Sequence, residues 1–306
     1  MYAYLTAPRS TAVQQFFQTR NPRDLMGAYS WCQAVGAALL PIMGDLEVAL
    51  RNSLHSALSH YFGQQSSYSW MLGTPATKPS AKPAPAPHKL NSQAQQDVQK
   101  VVDRYQRKRK RAATPDDVVA ALSFGFWEQI INALTHKAHP AGLKESIMKA
   151  AFPYAPDTQI IAYSDNAFVN RVVALLAQIR DVRNRIGHHD SLWACPEFSE
   201  HGKTGFFPRR PRHTVRSLQQ LAERISWLAG WIDPDIRQHI HASDHWANLQ
   251  VLLSRESLRI YRMTGGSAET SRLIWCTQQP TQPKREKKHR QPLHARHLYA
   301  MHQPFF

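Results

Sequence analysis

The sequence predicts an all-α fold, and three observations predict it. Apolar residues recur at helical spacing in segment after segment, no run alternates apolar and polar residues between hairpin turns, and helix-capping residues stand before two of the periodic segments. With 306 residues, 42% of them hydrophobic, the chain can bury a substantial core as one domain with appendages. The boundaries read as a helical domain over 1–235, an accessory helical segment over 236–278 and a basic tail over 279–306.

The first element is carried by Leu46, Leu50, Leu54, Leu58 and Tyr61, an apolar stripe at helical spacing. Glu47, Arg51 and His55, each four residues from the last, stack beside it as a polar stripe. A polar stripe next to a core stripe suits a site wall, while Glu47 with Arg51 equally fits an i,i+4 surface pair worth a few tenths of a kcal/mol. Upstream, the longest apolar stretch, Ala34 to Met43, is too short to span a bilayer and is interrupted by Pro41. No signal-peptide pattern opens the chain, so a membrane role is not expected. Gly73 to His88, with Lys82-Pro83-Ala84-Pro85-Ala86-Pro87 inside it, has the composition of an extended, solvated linker, inserted over 74–90.

Val98, Val101, Val102 and Tyr105 then mark a helix that ends in a basic block, Arg104, Arg107, Lys108, Arg109, Lys110 and Arg111. Thr114-Pro115-Asp116-Asp117 is a helix start, with Thr114 as N-cap, Pro115 at the first helical position and two carboxylates favoured by the dipole. One helix is expected from there, with Val118, Val119, Leu122, Phe126, Ile130 and Leu134 broadly on one side. Phe124, Phe126 and Trp127 fit core packing better than a base-stacking platform, because aromatics at helical spacing usually serve the core.

A further helix is expected over Ile160 to Ile186, opened by Ser164 or Asp165, with Phe168, Val172, Leu175, Leu176, Ile179, Val182 and Ile186 on its core side. Gly187 reads as its C-cap, which puts Arg183 in the last turn and His188 at or just beyond the end, where the dipole favours a cation.

The balance of 38 Lys plus Arg against 22 Asp plus Glu, a formal +16, points to a polyanionic partner. A second basic block, Lys284, Arg285, Lys287, Lys288, Arg290 and Arg296, lies in the tail, which is read as flexible. Such runs are solvated by default; where they bind phosphates, binding weakens steeply with salt. Three well-separated cysteines, Cys32, Cys195 and Cys276, fit a reducing cytoplasm and not a disulfide scaffold.

The chemistry concentrates in Arg183-Asn184-Arg185-Ile186-Gly187-His188-His189. Arginine is a permanent cation that grips phosphate in bidentate fashion, and histidine takes and returns a proton near neutrality. Cleavage of RNA through its own 2′-hydroxyl needs those two services and no metal or other cofactor.

The pattern Arg183, Asn184, His188 resembles the catalytic motif of HEPN ribonucleases. Two further stretches accompany it: Leu46-Glu47-Val48-Ala49-Leu50-Arg51-Asn52-Ser53-Leu54-His55 with His60-Tyr61-Phe62-Gly63, and Thr114 to Asp117 followed by Leu122-Ser123-Phe124-Gly125-Phe126-Trp127. In this order the three look like the signature stretches of the Abi-like proteins of the bacterial abortive-infection type, a resemblance covering roughly Asp24 to Trp231. The family usually follows its paired histidines with Glu-Pro, where this chain has Asp190-Ser191.

The resemblance implies an all-α, HEPN-like helical bundle and a metal-independent endoribonuclease of phage-defence or toxin-antitoxin type. Arg183, Asn184 and His188 would be catalytic, with His189, Glu47, Arg51 and Asn52 in support. It also implies a homodimer whose two copies form one composite site, and a neutralising RNA or protein antitoxin. The basic block Arg104 to Arg111 is assigned to RNA. A shift of one residue past Gly187 would exchange His188 and His189. Two rival readings stand beside this one: an RNA-binding module of the same fold in which Arg183 and His188 only hold structure, and a metal-dependent hydrolase built on His188, His189, Cys195 and His201, whose spacing matches no usual structural-zinc pattern.

Overall fold

A computed structural model describes residues 5–62, 67–72, 92–136, 139–156, 162–190 and 192–278. The helices in chain order are α1 (Ala7–Phe17), α2 (Pro22–Tyr61), α3 (Ser69–Leu72), α4 (Ser92–Arg109), α5 (Pro115–Ala121), α6 (Phe124–Ala133), α7 (Leu143–Ala151), α8 (Asn166–Gly187), α9 (Pro211–Ile232), α10 (Pro234–Ala242), α11 (Asp244–Leu252), α12 (Arg255–Thr264) and α13 (Glu269–Gln278), with a 3-10 turn at Leu192–Ala194. Among the described residues there is no strand, only an isolated antiparallel bridge between Phe198 and Thr204. The linker over 74–90 and the tail over 279–306, with its basic block, lie outside the described residues.

The bundle is organised round α2. Asn21 caps it by accepting from the Asp24 amide at 2.9 Å, Pro22 follows the cap, and the 40-residue helix runs about 60 Å at 1.5 Å per residue. The apolar stretch Ala34 to Met43 and the stripe beginning at Leu46 are therefore parts of one helix, which accommodates Pro41 in its interior. By length and composition α2 passes the test for a membrane span. In this fold it is the spine on which α1 and α5 through α12 pack. Leu46, Leu50, Leu54 and Leu58 are fully buried as the stripe predicts, whereas Tyr61, in the last turn, is exposed.

Thr114 and Asp117 form a reciprocal capping box, side chain to backbone in both directions. The helix they open is shorter than predicted. Leu122 turns extended (φ −79°, ψ 142°), and Ser123 accepts from the Phe126 amide at 3.3 Å to cap a second helix, α6. The single helix expected here is two, because a serine two residues past the last turn of α5 offers a better cap than a continued helix can use. Phe124, Phe126 and Trp127 are buried, in agreement with the core reading.

α8 begins at Asn166, six residues later than predicted, with Asp165 accepting from the Ala167 amide. All seven residues assigned to its core side are buried. Its start adjoins α7 through Lys144 Nζ to Asn166 Oδ1 (2.6 Å), and α7 adjoins Ser53 of α2, whose hydroxyl donates to the Ala151 carbonyl (2.9 Å). Its end packs Ile186 on Gly36 of α2, so the two helices run antiparallel.

The C-terminal helices close on the other half of α2. Gly27 lies so near α12 that a Cβ there would collide with the Tyr261 carbonyl oxygen. Arg262 grips Asp24 with two hydrogen bonds (2.5 and 3.0 Å), and the Trp31 indole donates to the Leu252 carbonyl at 2.9 Å. One hydrophobic cluster extends from Val13 to Leu258, so the segment over 236–278 contributes to the same core as the helices before it.

Candidate active site

Arg183, Asn184, Gly187 and His188 are all exposed, side by side on the outer face of the last turn of α8. They lie there because Ile179, Val182 and Ile186 take the opposite face into the core. The helix ends in a Schellman turn: the His189 amide donates to the Ile186 carbonyl (3.0 Å), and the Asp190 amide to the Arg185 carbonyl (2.7 Å). The left-handed position of that turn is occupied by His189 (φ 52°) and not by glycine. Gly187, predicted as the cap, is the last helical residue, and His188 is the C-cap.

The two histidines are distinguished by their contacts. His189 is tied down: its Nδ1 is within hydrogen-bond distance, 3.0 Å, of Gln33 Oε1 on α2. That bond offsets part of the roughly 1–2 kcal/mol that a residue with a Cβ spends in the left-handed region. His188 uses only its backbone, donating to the Asn184 carbonyl at 2.9 Å. Among the described residues, the side chains of Arg183, Asn184 and His188 have no hydrogen-bond or ion-pair partner. Next to them a cleft of about 430 Å³ opens between the end of α8 and α2, lined by Gly187, His189, Gln33, Ala37 and Leu40 among others.

One turn earlier on the same face is an ion pair that the sequence does not announce. Arg180 Nη1 meets Glu128 Oε2 of α6 at 2.7 Å and Arg180 Nη2 meets Asp181 at 3.3 Å. Burial raises the Glu128 carboxyl above its usual range, and Arg180 offsets this only in part. The pair fixes α6 against α8, bringing the second signature stretch against the third. The available signal is Arg180 three residues before Arg183; its partner is 52 positions away and not legible locally.

The supporting residues of α2 are not at this face within one chain. Arg51 lies fifteen residues, about 22 Å along the helix, beyond Gly36, which touches Ile186. Arg51 Nη1 instead reaches the Ala120 carbonyl of α5 at 3.5 Å, its Nε is buried without a partner, and Asn52 is exposed. Glu47 is half-buried and makes no ion pair among the described residues, so the alternative i,i+4 pair with Arg51 does not form. His55, next on the stripe, accepts from the Trp70 indole N–H at 3.2 Å, and burial holds its imidazole below the usual histidine range.

The basic block of α4 divides. Arg111 bonds to Asp117 at 2.5 and 3.1 Å and lies over the Tyr105 ring, which fastens the end of α4 to α5. Arg107 pairs with Asp103 at 3.4 Å, and Arg104 lies near Tyr105. Lys108, Arg109 and Lys110 are exposed.

No group of three His, Cys, Asp or Glu side chains among the described residues is placed to hold a metal. Of the proposed cluster, Cys195 is buried with its thiol pushed up to about 12, chiefly by that burial, and His201 is in the turn at Gly202, by the middle of α8.

The family model for Abi-like proteins matches residues 1–194, which contain all three signature stretches and the whole of the α8 motif. The chain belongs to the Abi-like family. Neither a curated protein nor a solved structure matches it. The match starts earlier and stops earlier than the resemblance expected: its last residues are the 3-10 turn, and α9 to α13 follow it.

Proposed function

We propose that this Abi-like protein is an endoribonuclease of abortive-infection type that cuts RNA without metal, at a composite site formed by two copies of the chain. One observation carries the reading: the arginine, carboxamide and histidine of the α8 motif stand together at the surface with no partner among the described residues. A histidine kept for structure makes contacts, as His189 does with Gln33; the His188 ring makes none there. This supports His188 as the catalytic histidine.

In the mechanism, His188 Nε2 accepts the proton of the ribose 2′-hydroxyl as that oxygen attacks phosphorus. Arg183 stabilises the added negative charge on the pentavalent phosphorane, and Asn184 hydrogen-bonds to a phosphate oxygen to fix the geometry. The P–O5′ bond breaks, and the leaving oxygen takes a proton from the imidazolium of the second copy. The products are a 2′,3′-cyclic phosphate and a 5′-hydroxyl, and DNA, lacking the nucleophile, is resistant. A homodimer would bring two copies each of Arg183 and His188 to one cleft, so that one histidine serves as base while the other serves as acid. The α2 face beside the motif supports that arrangement: Leu40 and Val48 are exposed there at 42% and 43%, and a side chain at Gly44 would meet nothing within 4 Å. Support from Glu47, Arg51 or Asn52 would then come from the second copy. Uncontrolled activity harms the host, which calls for a neutralising RNA or protein.

The test is incubation of labelled single-stranded RNA with the parent, His188→Ala and Arg183→Ala proteins in EDTA, with light scattering on each. Cleavage by the parent alone, leaving cyclic-phosphate ends, is the expected result. Cleavage that requires added metal overturns the mechanism, and salt-sensitive binding without cleavage favours a binding module.

A further inference from the structure

The segment between the 3-10 turn and α9 lies beyond the family-matched residues and has no part in the mechanism above. It is a strap folded along α8. Arg171 Nε donates to the Glu200 carbonyl (2.8 Å), Gly202 presses on the backbone of Ala174 and Leu175, and Gln178 Nε2 donates to Thr204 Oγ1 (3.3 Å). The strap thus climbs towards the motif. Its limbs are joined by the Gly205 amide to the Glu197 carbonyl (2.8 Å) and the Glu197 amide to the Phe206 carbonyl (2.9 Å). Phe206, two residues beyond Thr204, continues in that direction, and its ring meets His213 near the start of α9. The strap side of α8 is the side of Gln178 and Arg185, neighbouring that of His188.

What the strap presents there is unusual for a free surface. Phe206 and Phe207 are adjacent and 44% and 57% exposed. Arg209, Arg210 and Arg212 follow, all exposed and with no ion pair among the described residues, Arg212 Nε donating to His213 Nε2 at 3.3 Å. Arg210 is extended (φ −149°, ψ 153°) and is the N-cap of α9; Pro211 has no N–H and the His213 amide donates to the Arg210 carbonyl at 2.9 Å, so of the first three helical residues only Arg212 has an amide without a backbone partner. Behind it, α9 and the start of α12 enclose a cleft of about 600 Å³ lined by Arg212, His213, Arg216 and Arg255 among others, and the His213 ring stands edge-on to Phe206 at 5.0 Å.

Exposed arginines without a carboxylate partner bind phosphates, and exposed aromatic faces stack bases. We propose that Phe206, Phe207, Arg209, Arg210 and Arg212, with the arginine-lined cleft behind them, form a platform for single-stranded RNA that leads the strand to the last turn of α8. The proposal rests on the reading of RNA as the substrate, but concerns binding and not cleavage. Bases stack on the two phenylalanines while the backbone follows the arginines. A paired helix, its bases already stacked on one another, gains only the phosphate contacts.

The experiment uses the full chain carrying His188→Ala, and a fluorescein-labelled twelve-nucleotide RNA of mixed sequence, unpaired or annealed to its complement, with anisotropy read at several salt concentrations. Phe206→Ala with Phe207→Ala should weaken binding of the unpaired strand about ten- to a hundredfold at every salt concentration, leaving the salt slope and duplex binding unchanged. Arg209→Gln, Arg210→Gln and Arg212→Gln together should lower the slope of log affinity against log salt by about two. An unchanged thermal midpoint and retention by Phe206→Tyr with Phe207→Tyr establish that the loss is one of stacking. Parent-like binding of the unpaired strand by the double alanine variant overturns the proposal, as does loss of the dimer in that variant, which would make the phenylalanines a protein interface. Binding by this platform in a parent that does not cut would leave the proposal standing and remove the nuclease reading. Cleavage by a parent whose binding ignores these residues would do the reverse.

Discussion

The crossing of α2 over α12 and the last turn of α8 are both made of glycine and charged or polar residues, yet they are in opposite conditions. At the crossing the polar groups are partnered, Asp24 with Arg262 and, at the adjoining end of α11, the Trp31 indole with the Leu252 carbonyl, and Gly27 admits the neighbouring backbone. At the end of α8, Gly187 faces open space, and Arg183, Asn184 and His188 have no side-chain partner among the described residues. Polar groups that hold a fold are satisfied by that fold, whereas groups kept for a ligand are left for it. The two regions should therefore respond to substitution in opposite ways.

The largest effect is expected on activity. His188→Ala should lower RNA cleavage by about 10²- to 10⁴-fold while leaving the denaturation midpoint where it was. A midpoint that falls with the activity would break the contrast. Next, Gly27→Ala should destabilise the protein by about 3 kcal/mol in urea titration, with α12 displaced from α2, because overpacking at a backbone contact leaves nothing soft to yield. Third, Asp24→Asn should cost about 1–3 kcal/mol and flatten the acid limb of stability against pH. The hydrogen bonds from Arg262, more than any other cause, hold the Asp24 carboxyl below its usual range. A folded-state value below the unfolded one contributes stability above the unfolded value, about 3.9, and loses it as pH falls through the folded value. If the variant retains the parent's acid limb, Asp24 is not the group responsible. The smallest effect belongs to Lys108, Arg109 and Lys110: replacing all three with Gln should leave folding unchanged and reduce the salt slope of RNA binding by about 0.7 for each phosphate that they neutralise. An unchanged slope would mean that this end of α4 does not meet the nucleic acid.

What the sequence disclosed follows the range of the forces involved. The Thr114 capping box and the buried face of α8 are legible because each is set by residues within a turn or two. The break at Ser123 is hidden because the apolar spacing continues across it. Gly187 misleads for a related reason: a glycine usually takes the left-handed position after a helix, but here His189 takes it with help from Gln33, 156 positions away. Arg183, Asn184 and His188 fall on one exposed face because helical spacing alone dictates it, while the distance that separates Arg51 from them depends on how α2 and α8 pass each other. The Arg180–Glu128 pair and the strap at Phe206 carry no period and have distant partners, so nothing local announces them.

Two buried cysteines give this fold a built-in clock. Cys32 and Cys195 are each about 1% exposed, and burial raises both thiols far above the range in which a thiolate forms. A thiol reagent can therefore reach either one only while its surroundings are briefly parted. Cys32 is next to Gln33, which tethers the end of α8, and Cys195 follows the 3-10 turn at the foot of the strap. Their separate alkylation rates would time the opening of the core helix and of the strap in the same molecule.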